Sequence, residues 1–301
     1  MTNIPILIIY FNRPDALEIN IAALVEAGVS NLYIARDGIG PNVPHSVIDE
    51  VLKCDATVDK NSYRFKSINR LINNFNIGCD QFVPKALDWA FESEDFLIIL
   101  EDDCIIDINF IEFCKSLSRR YQEDFSVGSI SASCFLPSDF RLNNSFYMSK
   151  YPSSWGWATW KSRWVGFAEY RENIFKSTNQ GTLGQSSYLE RLFWWRFKNK
   201  LLNGSAENWD AIWLFFNSEN NRYHITPAFN MCTNIGWGSD AVHTKIKDER
   251  MEQSIVSYDS FLDLNDLTEV SISNNWDKHT FSSFYWPGFQ YFCGRIWKVF
   301  A

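Results

Sequence analysis

The feature that most constrains this chain is an apolar run, Phe96 to Leu100, that breaks without a spacer into Glu101-Asp102-Asp103. A run of that length bounded by charge reads as a buried strand. Three consecutive carboxylates at its tip are costly, because like charges a few ångströms apart repel strongly where the dielectric is low. A divalent cation is an economical remedy, since Mg²⁺ or Mn²⁺ takes hard oxygen ligands and binds through one or two carboxylates plus substrate phosphates. The competing reading is a solvated acidic turn. The apolar approach Leu97-Ile98-Ile99-Leu100 and the helical pattern after the triplet argue against it.

The neighbouring segments predict where that strand sits. Ile4 to Phe11 reads as a first strand, followed by a helix with Pro14 in its first turn, Leu17, Ile21 and Leu24 on one face, and Gly28 to end it. A second strand spans about Asn31 to Ala35 and ends at Arg36-Asp37-Gly38; a short helix covers about Ser46 to Lys53. A third strand near Tyr63 to Phe65 leads to Asn76-Ile77-Gly78, and a helix over Val83 to Phe91 delivers the chain to the acidic strand. Phe110, Phe113, Leu117 and Tyr121 then repeat at helical spacing. Short apolar runs alternating with helices predict an α/β fold with a mostly parallel, Rossmann-like sheet. Such sheets place ligands at the carboxyl ends of their strands, where the acidic triplet falls.

Beyond about residue 135 aromatics become dense, as in Trp155-Gly156-Trp157, Trp160, Trp164 and Phe193-Trp194-Trp195. With 13 Trp and 17% aromatics, the chain holds more aromatic surface than a minimal core needs, so part of it is expected to line a groove. Trp155 and Trp157 would make a stacking wall for a sugar ring, with aromatic core packing as the rival reading; Phe193-Trp194-Trp195 reads as an amphipathic helix of core and surface. The net charge of −8 argues against partnership with nucleic acid or a general attraction to anionic lipid. Seven scattered Cys without a CxxC pair read as reduced core thiols of a cytoplasmic protein. The Ile4 to Phe11 run lacks a basic flank and is too short for export or spanning. The aromatic stretch Phe284 to Phe300, with Arg295 and Lys298, either packs on its own domain or makes peripheral contact with the inner membrane.

Neither a GxGxxG turn after the first strand nor a GxxxxGK[ST] loop is present, which disfavours dinucleotide oxidoreductases and P-loop NTPases. The order Ile4-Pro5-Ile6-Leu7-Ile8-Ile9 with Asn12-Arg13, then Arg36-Asp37-Gly38, then Ile98-Ile99-Leu100-Glu101-Asp102-Asp103 resembles the GT-A glycosyltransferases of the N-acetylglucosaminyltransferase I type and their bacterial relatives. The resemblance continues through Trp155-Gly156-Trp157, Asn208-Trp209-Asp210, and Ile225-Thr226-Pro227 by way of Asn234-Ile235-Gly236 to His243-Thr244. It implies a GT-A catalytic domain over 1–245, with a nucleotide-sugar half to about 134 and an acceptor half over 135–245, followed by an extension over 246–301.

The resemblance also implies roles. Asp37 would recognise the base, uracil, or else simply form the Asp-Gly turn, and Arg13 would lie against base or diphosphate. Asp103 would be the direct ligand of Mn²⁺ or Mg²⁺, with Glu101 and Asp102 on the ribose or metal-bound water. Gly78 would let the backbone approach the donor, and His243, after Gly236-Trp237-Gly238, would be a second metal ligand or else a surface loop residue.

Asp210 is the candidate base. It falls in the first turn of a helix whose Trp209, Ile212, Trp213 and Phe216 form one stripe, and a helix N-terminus favours the ionised carboxylate. The chain departs from the family here, because the family's base aligns with Ala211. Glu207 is the alternative base, a plain helix-start carboxylate is the rival reading of Asp210, and a retaining enzyme would not need a base.

The expected activity is transfer of a hexosyl or N-acetylhexosaminyl group from a UDP-sugar to a glycan or polysaccharide acceptor. The alternatives are a sugar-1-phosphate nucleotidyltransferase, which usually carries a Gly-rich basic signature where this chain has Asn12-Arg13-Pro14-Asp15, and a carbohydrate-binding protein without turnover.

Overall fold

The computed structural model describes residues 4–135, 145–174, 187–204, 208–236, 269–270 and 274–285. Strands are β1 (Ile6–Tyr10), β2 (Asn31–Arg36), β3 (Ser67–Ile72), β4 (Phe96–Glu101), β5 (Cys104–Ile106), β6 (Val127–Ser131), β7 (Phe146–Ser149), β8 (Trp157–Trp160), β9 (Tyr223–Pro227), β10 (Cys232–Asn234) and β11 (Glu269–Val270). Helices are α1 (Pro14–Glu26), α2 (His45–Asn61), α3 (Cys79–Phe91), α4 (Ile108–Arg120), α5 (Lys161–Trp164), α6 (Phe167–Asn173), α7 (Tyr188–Leu202), α8 (Trp209–Glu219) and α9 (Asn274–Thr280).

Among the described residues, nine strands form one sheet in the order β11-β7-β9-β6-β8-β4-β1-β2-β3. The β4-β1-β2-β3 half is all parallel, with helical crossovers between its strands, as a Rossmann-like half requires. Beyond β4 the sheet is mixed: β8 runs antiparallel to β4 and β6, while β6 and β9 are parallel. The short β5 and β10 pair antiparallel outside it.

β1 and β4 are buried on both faces, which is why they read as unbroken apolar runs. Ile6, Ile8, Ile98 and Leu100 join Leu17, Val58 and Phe110 on one face; Leu7, Ile9, Leu97 and Ile99 join Leu87, Trp213 and Phe216 on the other. Helices thus cover both sides of a sheet to which the segments before and after residue 135 both contribute, so the two expected halves share a framework.

Three local expectations change. The strand expected at Tyr63 to Phe65 is a single 3₁₀ turn, Ser62–Arg64, and the strand itself is β3. Its sequence, SINRLI, lies at the edge of the sheet and is largely exposed, so no apolar run marks it. The helix expected over 46–53 runs from His45 to Asn61, and that expected from Val83 begins at Cys79, with Pro84 inside it.

Described parts of the 246–301 extension pack on the domain: β11 pairs with β7, and Asp277 accepts from the Ser149 hydroxyl at 2.6 Å. The membrane-facing expectation for 284–300 lies, from residue 286 on, outside the described residues. No described helix is long and apolar enough to cross a membrane.

Candidate functional site

A cleft of about 720 Å³ opens at the carboxyl ends of β1, β2 and β4. Glu101 closes β4, Asp102 and Asp103 form the turn into β5, and Asn20 on α1 holds that turn. Its buried amide donates to the carbonyls of Glu101, at 3.1 Å, and Cys104, at 3.0 Å. Asn20 is a polar residue on the buried stripe of Leu17, Ile21 and Leu24. That break in the stripe was the available signal for a role that sequence reasoning missed.

The acidic triplet is short of positive charge. The Arg13 guanidinium pairs with Asp102, at 3.2 Å, and with Asp103, and the Phe11 amide donates to Asp102 at 3.1 Å. Arg13 thus brings one positive charge to three carboxylates. Burial, then the charges of Asp103, Asp102 and Asp210, push the Glu101 carboxyl up to about 8. Burial, then Asp103, push Asp102 up to about 6, against the pull of Arg13 and the Phe11 amide. Burial works against the charge on Arg13, but the carboxylates outweigh it and raise its pKa.

Hard oxygen donors facing a cleft with surplus negative charge fit a divalent ion. Among the described residues no group of three or more His, Cys, Asp or Glu converges on one point. Such an ion would therefore complete its shell from substrate oxygens and water, as Mg²⁺ and Mn²⁺ commonly do. His243, expected as a second ligand, lies outside the described residues, as does Glu207.

Asp103 is also gripped from the β10 side. Its carbonyl accepts from the Ile235 amide at 2.9 Å. The Gly236 backbone lies so close that a Cβ there would overlap an Asp103 carboxylate oxygen. Here glycine is required by close approach rather than by its φ.

Asp37 differs from its expected part. It lines the cleft, yet one carboxylate oxygen accepts from the Gly38 amide, at 2.8 Å, and the Asn73 side chain, at 3.0 Å, while the other accepts from the amides of Ile77, at 2.9 Å, and Gly78, at 2.8 Å. A carboxylate has about four acceptor sites, and all are engaged, one by the Gly38 amide of its own turn and three by the 73–78 loop. Asp37 therefore shapes the cleft instead of presenting a free acceptor to a base imide. Gly78, with φ of 81°, turns the chain into α3, whose first residues line the cleft.

Arg13 sets its guanidinium on the acidic pair at the strand end, and its expected contact with base or diphosphate stays an expectation.

The opposite wall comes from the second half. Asn208 caps α8 by accepting from the Ala211 amide at 2.7 Å, which sets Asp210 in the first turn facing the cleft. The Ser154 hydroxyl stands 3.5 Å from its carboxylate. Asp80, at the start of α3, accepts the Trp209 amide at 2.7 Å and so ties α8 to the parallel half. Sequence reasoning missed this residue, because a carboxylate in a first helical turn is common and carries no partner's address.

Trp155 is half-buried on the cleft wall, its ring edge-on to Phe135 at 5.6 Å. Trp157 is corrected. It is 2% exposed and stacks on Trp209 at 5.9 Å beside Trp164 and Trp213, so it belongs to the core. Its position on β8, buried between β4 and β6, rules out an open wall; it lines instead a smaller adjoining cavity that Asp210 also lines. Trp194 is buried and Trp195 is exposed, as an amphipathic helix demands. Of the described cysteines, all but Cys79 are buried, in keeping with core thiols.

No protein-family model and no curated protein matches the chain. Among solved structures, A197 from STIV aligns over 76% of this chain and 83% of its own at 11% identity, with a TM-score of 0.35. The 4-diphosphocytidyl-2C-methyl-D-erythritol synthase of Anaerococcus prevotii aligns over 74% of this chain and 87% of its own at 8% identity, with a TM-score of 0.36. Likenesses this distant say nothing of activity, for which the sheet topology and the cleft are the guides.

Proposed function

We propose that this chain is a GT-A-type glycosyltransferase that moves a sugar from a nucleotide diphosphate donor, a UDP-sugar, to a carbohydrate acceptor with inversion. One observation carries the reading. A single cleft gathers Arg13, Gly78, Glu101, Asp102 and Asp103 from the parallel half, with Asp210 and Trp155 from the other. An acidic strand end short of positive charge suits a cation and a diphosphate, and a separate carboxylate across the cleft suits proton transfer.

In this reading the donor diphosphate lies at Asp103, with Arg13 as the side chain able to meet its charge. A divalent cation, Mn²⁺ or Mg²⁺, would be held by Asp103 with Asp102 and would supply charge neutralisation for the leaving group. Asp210, at the N-terminus of α8 where the helix favours a carboxylate, takes the proton of the acceptor hydroxyl. The acceptor oxygen bonds to the anomeric carbon, the bond from that carbon to the phosphate oxygen breaks, and its electron pair departs with the nucleoside diphosphate. Trp155 offers an aromatic face beside the acceptor.

A donor-hydrolysis screen over UDP-, GDP- and CMP-sugars with Mn²⁺ tests the reading. Release of UDP from a UDP-sugar is the expected result. No turnover of any donor, with pyrophosphate formed instead from a nucleoside triphosphate and a sugar 1-phosphate, would replace it with the nucleotidyltransferase reading.

A further inference from the structure

The extension after residue 245 is anchored on the rest of the chain at several points. Asp277 of α9 is buried and accepts from the Ser149 hydroxyl at 2.6 Å and from the Lys150 amide at 3.3 Å. Trp276 stacks on Tyr147 at 5.5 Å, and buried Phe281 meets Phe193 edge-on at 5.5 Å. A buried carboxylate is tolerated only where its partners are in place, so these contacts fix where the extension lies. They deliver Tyr285, the last residue of the turn Phe281–Tyr285 after α9, to the cleft.

Tyr285 is partly exposed, whereas the rings that hold it, Tyr151 and Trp194, each 5.0 Å away between centroids, are buried. It borders both the main cleft and the smaller adjoining cavity, the two spaces that Asp210 also lines. Burial, then the charges of Asp210 and Asp277, push its phenol up, so it stays neutral and leaves proton acceptance to Asp210. A neutral ring, clamped by other rings and set in a cleft wall, suits the C–H groups of a sugar ring, which pack on aromatic surface.

We infer that Tyr285 is an acceptor-positioning residue: the extension completes the acceptor site by setting this ring beside Asp210, where a pyranose packs on it and turns one hydroxyl to the carboxylate. The inference rests on the reading of Asp210 as the acceptor-side carboxylate and adds that the acceptor site draws on residues beyond 245. Arg13, Gly78, Glu101, Asp102 and Asp103 all come from the parallel half, so the loss of this ring is felt on the acceptor side alone.

The test uses the full chain with UDP and Mn²⁺ and a mixture of the methyl glycosides of glucose, galactose, mannose and N-acetylglucosamine, followed by saturation-transfer NMR. At least one glycoside should bind the parent, with saturation on its ring C–H protons. Tyr285→Phe, which keeps the ring, should bind it within about two-fold of the parent, whereas Tyr285→Ala should weaken it by about ten-fold. Tyr285→Leu keeps apolar bulk against Tyr151 and Trp194 without an aromatic face. It should show the same loss, and it decides the matter if the Ala variant fails to fold. UDP affinity, measured by calorimetry on the same samples, should be equal in all. Binding of none of the four by the parent, undiminished binding by Tyr285→Leu, equal losses in the Phe and Leu variants, or a loss shared equally by UDP and glycoside would overturn the assignment. Glycoside binding that depends on the ring in a chain that binds no UDP keeps the assignment and defeats the glycosyltransferase reading. UDP binding with no dependence of the glycoside on the ring defeats the assignment alone.

Discussion

Asp80 accepts the backbone N–H of Trp209 at 2.7 Å, across 129 residues of sequence. Through this bond the first turn of α3, entered from the loop that Asp37 holds, sets the start of α8, and with it Asp210. The same cleft thereby receives its donor side and its acceptor side from elements that are tied together.

That tie predicts a graded response at position 80. Asp80→Ala should lower kcat by about ten-fold, the order of one lost hydrogen bond to a charged group, and leave the KM for the donor within about two-fold. Asp80→Asn retains a side-chain oxygen that can accept the Trp209 amide and should recover most of the rate. Equal losses in both variants, or a loss confined to donor KM, would show that Asp80 acts otherwise. Steady-state kinetics over both substrates is the measurement.

Asp210→Asn should reduce transfer by about 10²- to 10⁴-fold, the contribution of a positioned base, while UDP affinity measured by calorimetry stays unchanged. Near-normal transfer would move the base elsewhere.

Trp157→Ala tests the corrected placement of that ring. Removing a buried Trp that stacks on Trp209 should cost about 3–5 kcal/mol of folding stability in urea unfolding. A variant as stable as the parent, with only acceptor binding weakened, would return Trp157 to the open wall.

His224 supplies a pH dependence away from the cleft. Burial, with the charge of Arg222 adding to it, holds its imidazole pKa down at about 3, and its Nδ1 meets the Ser129 hydroxyl at 2.7 Å. The unfolded chain takes up this proton near the ordinary value of about 6.5, so it binds more protons than the folded chain between the two values. The contribution is therefore present above pH about 6.5 and is lost as pH falls toward 3. Against His224→Gln, the parent's Tm should fall more steeply from about pH 6.5 to about pH 4. Parallel curves would exclude this histidine as the cause.

The central strands and the acidic tip were legible because each was stated locally. β1 and β4 are buried on both faces and so appear as uninterrupted apolar runs, and Glu101-Asp102-Asp103 stands where the second run stops. β3 was misplaced because an exposed edge strand needs no such run. The site was less legible in proportion to how far its contacts reach. Asp37 looked like a free carboxylate, since its Ile77 and Gly78 partners are backbone amides that any residue would supply. Arg13 gave no sign that its guanidinium would settle on Asp102, which lies 89 residues away. Trp155 and Trp157 look equivalent in sequence, yet the strand that begins at Trp157 carries that ring into the core and leaves Trp155 on the cleft.

The crowded carboxylates beside Arg13 must become a nucleotide site once a metal is supplied. Calorimetric titration of UDP, with Mn²⁺ and again with EDTA, on the parent chain and on Asp103→Ala addresses this directly. The expected result is micromolar binding by the parent with Mn²⁺, weakened by about 100-fold or more both by EDTA and by the substitution. Binding that is indifferent to Mn²⁺ and to the loss of the Asp103 carboxylate would contradict the proposed metal-bridged donor site.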